Sequence, residues 1–221
     1  MNPLPNETTT YNFTISWNGT DTIGEIDFYT IFASVNAGPF NAIINRTNAT
    51  NATFPGEQGG TYKFICIATD TAGNIEVQPP QAEASTTLPL PTISIIGTPS
   101  IGTNITVTLS DPFRPYSPYL AALSLGTQPG IPLGDGRTIP LNLDLLLLLS
   151  IDPAYWPVLG LNNFQGFLNQ NGQATASWNI PNVPAAAGLT VYAAFVTINP
   201  LLPGVQAVTS ISNAVPITFL P

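Results

Sequence analysis

Tyr11, Phe13, Ile15 and Trp17 alternate with Asn12, Thr14, Ser16 and Asn18. Successive side chains on a strand point to opposite faces, so this period of two predicts a half-buried strand with the four apolar residues turned inward. Asn18-Gly19-Thr20-Asp21 supplies a turn. Tyr29, Ile31, Ala33 and Val35 then predict one face of a second strand, ended by Ala37-Gly38-Pro39. A shorter strand is expected near Phe40 to Ile44. After it a stretch rich in Thr and Asn leads to Phe54 and a turn at Pro55-Gly56. The run from Gly60 to Asp70 predicts a long strand with Tyr62, Phe64, Cys66 and Ala68 facing inward. Residues 79 to 91 close a last strand and form a linker, which its prolines make extended and semi-rigid.

The second half begins with Thr92 to Gly97, followed by Ile105, Val107 and Leu109 alternating with threonines. Further strands are expected at Leu120 to Leu125, at Ala174-Ala176-Trp178-Ile180, at Leu189 to Ile198 and between Ala207 and Phe219. Leu143 to Trp156 is the one segment that reads as a helix or a wide loop.

Composition agrees with an all-β chain. Its 23 prolines and 18 glycines break helices, and Lys plus Arg number only four. At 221 residues the chain suits two domains of roughly 100 residues each. The expected division is residues 1–88 and 89–221, two antiparallel β-sandwiches in tandem. Hydrophobic residues reach 44%, enough for a core in each half. No apolar run, the five leucines Leu145 to Leu149 included, approaches the roughly 18 residues a membrane-spanning helix needs. Met1 precedes Asn2-Pro3-Leu4-Pro5 without the basic and apolar regions of a signal peptide, so a processed chain or a piece of a longer precursor is expected.

Net charge is −8, and the basic residues Arg46, Lys63, Arg114 and Arg137 are scattered. Nucleic-acid binding needs clustered cations to displace counterions, so that partner class is excluded. Histidine is absent and Cys66 is the single cysteine, which excludes structural zinc sites, Ser/His/Asp or Cys/His nucleophiles and a disulfide within the chain.

Gly60-Thr61-Tyr62-Lys63-Phe64-Ile65-Cys66-Ile67-Ala68-Thr69-Asp70 resembles the F strand of a fibronectin type III domain. The resemblance makes Tyr62 the tyrosine-corner residue, its hydroxyl bonded to upstream backbone. Trp17 matches the B-strand tryptophan and Tyr29 the C-strand tyrosine. Ala68-Thr69-Asp70-Thr71-Ala72-Gly73-Asn74-Ile75-Glu76 is similar to the F–G hairpin of bacterial surface versions of the module. The likeness covers about residues 6 to 87 and implies an immunoglobulin-like sandwich in an extracellular, cell-surface setting. Gly97-Thr98-Pro99-Ser100-Ile101-Gly102 and Ser212-Asn213-Ala214 resemble, more loosely, C-terminal β-sandwich domains of large secreted proteins.

Candidate chemistry is sparse. Asp21, Glu25 and Asp27, with Asp70 and Glu76, could gather around a calcium ion only if their loops converge; turn formation by Asp is the plainer role. Asp111, Asp135, Asp144 and Asp152 lie beside Pro, Gly or loop residues and read the same way. Cys66 reads as a small buried hydrophobe. Asn-x-Thr sequons stand at Asn6, Asn12, Asn18, Asn45, Asn48, Asn51 and Asn104. Glycans there would give a surface poor in charge its solubility; the plainer alternative is that Asn and Thr simply fill exposed strand positions. No acid stands two residues before any of these asparagines, so the extended bacterial sequon is not met. Trp156, Trp178, Tyr116, Tyr119 and Tyr155 could offer a sugar-stacking platform, with Trp178 read as core and Tyr116 and Tyr119 as the better placed. Period two also sends Phe28, Phe32, Ile65 and Ile67 to the outer face of neighbouring strands, where they would form an apolar interface stripe.

These features point to a non-catalytic extracellular structural module of a cell-surface protein, glycosylated and self-associating into a fibre or surface assembly, or bound to other surface proteins. The alternative is a carbohydrate-binding or spacer module of a larger secreted hydrolase. No enzyme activity, cofactor, metal or membrane span is expected.

Overall fold

A computed structural model describes residues 1–20 and 25–221. The protein is all-β, built of antiparallel sheets with little helix. It divides into two compact units, Met1–Leu90 and Pro91–Pro221.

Among the described residues the first unit has six strands: β1 (Asn12–Ser16), β2 (Ile26–Val35), β3 (Asn41–Thr47), β4 (Asn51–Pro55), β5 (Thr61–Asp70) and β6 (Ala84–Thr87). One sheet runs in the order β3-β2-β5-β6, and β1 pairs β4 in the other. In immunoglobulin lettering these are C′-C-F-G against B-E, a fibronectin type III-like arrangement. Apolar faces of the two sheets meet. Phe13, Ile15 and Trp17 of the first segment are buried, as are Tyr29, Ile31, Tyr62 and Phe64 opposite. Phe54 stacks edge-on to Phe64 at 5.0 Å between ring centres, and Trp17 to Tyr29 at 6.5 Å. The alternation fades at the strand ends: Tyr11 and Val35, both expected inward, are exposed, because each lies at or beyond the end of its ladder. β4 is a strand where the sequence suggested only a polar connection.

Residues 2 to 8 run along one side of this sandwich. The Asn2 amide donates to the Ser16 carbonyl at 2.8 Å. Glu7 then bridges Thr87 in parallel, the Thr8 amide donates to the Thr87 carbonyl (2.9 Å), and the Thr87 amide donates to the Asn6 carbonyl (3.0 Å).

The second unit contains β7 (Thr92–Ile96), β8 (Asn104–Ser110), β9 (Pro118–Ser124), β10 (Ile131–Pro132), β11 (Thr138–Ile139), α1 (Leu145–Ile151), α2 (Trp156–Leu159), β12 (Leu161–Asn162), β13 (Gln165–Phe167), β14 (Gln173–Asn179), β15 (Thr190–Ile198), β16 (Val208–Ile211) and β17 (Val215–Thr218). One sheet is β12-β14-β8-β7. The other is β13-β9-β15, whose last strand pairs β16 with one half and β17 with the other. Ile105, Val107, Leu109, Ala176 and Trp178 meet Ala121, Leu123, Ala193 and Phe195 in one core. A smaller apolar cluster of Ala122, Ala194, Leu141 and Leu147 seats α1 on the second sheet's outer face. Leucine favours helix, and Asp144 caps it by accepting a hydrogen bond from the Leu147 amide at 2.9 Å. Asp152 and Pro153 end it.

Candidate functional site

All seven sequon asparagines are exposed. Asn12 lies on β1, Asn45 on β3, Asn51 on β4 and Asn104 at the start of β8. Asn48 stands in the connection from β3 to β4, and Asn6 and Asn18 flank β1. Asn104 is engaged, donating from Nδ2 to Asn179 Oδ1 at 3.0 Å.

Asn45, Asn48 and Asn51 stay close together because a short connection joins β3, an outer strand of its sheet, to β4, an outer strand of the other. Asn45 and Asn51 are exposed on strands whose outer flanks pair with no strand among the described residues, and Asn48 is exposed in the connection between them.

The acidic residues are occupied by turns and caps. Asp70 accepts from the Asn74 amide (2.8 Å) and the Asn74 side chain (2.7 Å), and those bonds hold its carboxyl below the usual range. Glu76 accepts from the Ala68 amide at 3.0 Å. Asp27 faces Arg46 at 3.9 Å, both exposed. Glu25 is exposed, and Asp21 lies outside the described residues. Among the described residues no three metal-ligating side chains converge. Asp135 is clasped by Arg137 across a tight turn, which lowers its carboxyl too. Asp144 and Asp152 cap helical turns. Asp111 departs from the reading as a loop residue: it is fully buried, and its carboxylate accepts from the hydroxyl of Ser210, a residue 99 positions away.

Cys66 is buried on β5, and burial first of all pushes its thiol up to about 12. The amino terminus acts the other way, while Glu83 and Glu76 raise it further. A reactive thiolate needs an electropositive setting, the reverse of this one.

The proposed aromatic platform is not assembled. Tyr119 is buried on β9 rather than in a loop, and its hydroxyl donates to the Asn163 carbonyl at 2.7 Å. Trp178 is core and donates to the Leu159 carbonyl. Trp156 donates to the Ser150 carbonyl and lies edge-on to Phe164. Tyr116 and Tyr155 are exposed.

The apolar stripe is also altered. Phe32 stands directly opposite Ile65, and Thr30 opposite Ile67. Phe28, Phe32 and Ile67 are half-buried, but Ile65 is only 1% exposed, so the expected open stripe loses its centre. β5 is an inner strand, flanked by β2 and β6, where large neighbours shade a central side chain. Arg46 lies over the Phe28 ring at 4.1 Å, covering another part.

No protein-family model and no curated protein matches the chain. Among solved structures it is similar to the FN1–FN3 domains of chicken CNTN1, at 14% identity and a TM-score of 0.31 over 95% of this chain. The alignment spans 62% of that structure's own length. The fibronectin(III)-like modules of Clostridium thermocellum CbhA align at 13% identity and a TM-score of 0.25, over 95% of this chain and 84% of theirs.

Proposed function

We propose that this chain is a non-catalytic structural module of an extracellular, cell-surface protein, that it carries asparagine-linked glycans, and that it associates with copies of itself or with other surface proteins. The observation that carries the reading is the exposure of all seven sequon asparagines on a chain with only 7% charged residues. A surface so poor in charge needs another source of solubility, and bulky hydrophilic sugars supply one. Two β-sandwich units in series suit a spacer. Half-buried Phe28, Phe32 and Ile67 remain the candidate contact surface for assembly. The carbohydrate-binding alternative is weakened by the burial of Tyr119 and Trp178.

The test is intact mass spectrometry of protein isolated from its native source, with electron microscopy of the same material. Masses above that of the bare polypeptide, in steps of a sugar chain, and ordered polymers are expected. A bare polypeptide mass removes the glycoprotein reading, and monodisperse single particles remove self-assembly.

A further inference from the structure

The two sides of the first sandwich are closed in different ways. On one side, residues 2 to 8 hydrogen-bond to β1 and β6. On the other, the outer flanks of β3 and β4 pair with no strand among the described residues. An open strand edge presents a row of amide and carbonyl groups to any passing chain, and proteins normally blunt it with Lys, proline, a bulge or a covering segment. Here the ordinary guards cover only part of the edge. The single lysine, Lys63, is on the inner strand β5. Two register shifts interrupt β3, one near Arg46, whose φ is 50°, and one at Ile43, and Pro55 ends β4. Apart from Arg46, β3 and β4 carry no charge. Yet this side holds three consecutive sequons over residues 45 to 53, at Asn45, Asn48 and Asn51, with all three asparagines exposed.

We propose that sugars on Asn45, Asn48 and Asn51 guard this rim, and that their role is to stop the β3 and β4 edges from adding strands of a second copy. The inference rests on the glycoprotein reading above. Each attachment joins asparagine Nδ2 to the anomeric carbon of a phosphate-activated oligosaccharide. The bond from that carbon to the phosphate oxygen breaks, the phosphate leaves with the bonding pair, and the amide proton passes to a base of the transferring enzyme. A branched sugar beside the strand excludes a neighbouring backbone from the 4.7–4.9 Å spacing that pairing requires. Ordered assembly through another face then proceeds without competition from edge pairing.

The experiment compares four forms of the full chain made in the native host: the parent, N45Q/N48Q/N51Q, the same triple variant with Ile43→Lys, and the control N6Q/N104Q. T47A/T50A/T53A removes the same three sequons while keeping the asparagines, and stands in if the first triple variant does not fold. Sedimentation velocity and thioflavin T fluorescence are read on each. Loss of the parent's distribution to larger species with a rise in thioflavin T is expected for the rim variants only. Ile43→Lys, placing a charge on the edge, is expected to restore the parent's behaviour. Rim variants that sediment like the parent, control variants that aggregate equally, or aggregation that Ile43→Lys leaves unchanged each overturn the guarding role. A parent with the bare polypeptide mass overturns the glycoprotein reading itself, an outcome the mass spectrum separates from the other three.

Discussion

The Glu57 amide donates to the Tyr62 phenol oxygen at 2.6 Å, tying the turn before β5 to the strand's second residue. The tyrosine is 3% exposed and its ring meets Phe13 and Phe54. Tyr62→Phe keeps the ring packing and removes the bond. It is expected to lower the stability of the first unit by about 1 kcal/mol without changing the fold. Trp17→Ala deletes a fully buried indole and is expected to lower it by about 3–5 kcal/mol. Denaturant unfolding of the first unit's transition measures both. Equal, negligible effects would remove the tyrosine-corner account.

Cys66 is expected to resist alkylation in the native protein at pH 8 and to react once the chain is unfolded in guanidinium. Its thiol is pushed up to about 12 from 9.0. The folded state therefore holds the proton more tightly than the unfolded state. The resulting stability is fully present below about pH 9 and is lost as pH rises toward about 12. Cys66→Ala is expected to flatten that part of the stability profile. Thermal melts of both proteins across the alkaline range decide it, and parallel profiles would contradict the shift.

Asp144 joins the cap of α1 to β9. Burial raises its pKa, but hydrogen bonds from the Leu147 amide, the Ser124 hydroxyl and the Leu125 amide outweigh that and hold it below 3.8. The carboxylate thus stabilises the second unit above that value, and the contribution is lost as pH falls through the lowered pKa. Asp144→Ala is expected to lower stability at neutral pH by about 1–2 kcal/mol. The gap from the parent should narrow in acid, as followed by urea unfolding at several pH values.

Ile65 and Ile67 are two residues apart on one strand yet differ in burial. Ile65→Lys places an unpaired charge where 1% of the side chain meets solvent and is expected to destabilise the first unit by about 3 kcal/mol or more. Ile67→Lys is expected to stay folded, and as one of the three candidate contact residues it should reduce self-association. Circular dichroism melts and sedimentation separate the two effects.

What could be read in the sequence was the regular part. Phe13, Ile15 and Trp17, or Ile105, Val107 and Leu109, alternate because each strand has one wet face and one dry face, and a period of two records that directly. β4 escaped because its only large apolar residue is Phe54 and none of its five residues is fully buried. Tyr119 was misplaced because Pro118 suggested a loop, although proline is tolerated as the first residue of a strand. Ile65 was misjudged because alternation assigns a face but not what shades it. The Asp111 contact joins residues 99 positions apart, and local pattern carries no sign of such a pairing. For the candidate glycan sites, the sequons could be read as residues. Their placement on one unguarded side depended on strand order, which alternation does not encode.

The clasp between residues 6–8 and Thr87 has a mechanical side. The two segments run parallel, so tension pulling the unit's beginning and end apart acts along both segments in opposite directions. The Thr8 and Thr87 backbone bonds, with the hydroxyl contact between Thr86 and Thr8, are then sheared together instead of being peeled off one by one. If the unit is stretched from its two ends, this geometry places the first resistance at the point where force would enter the fold.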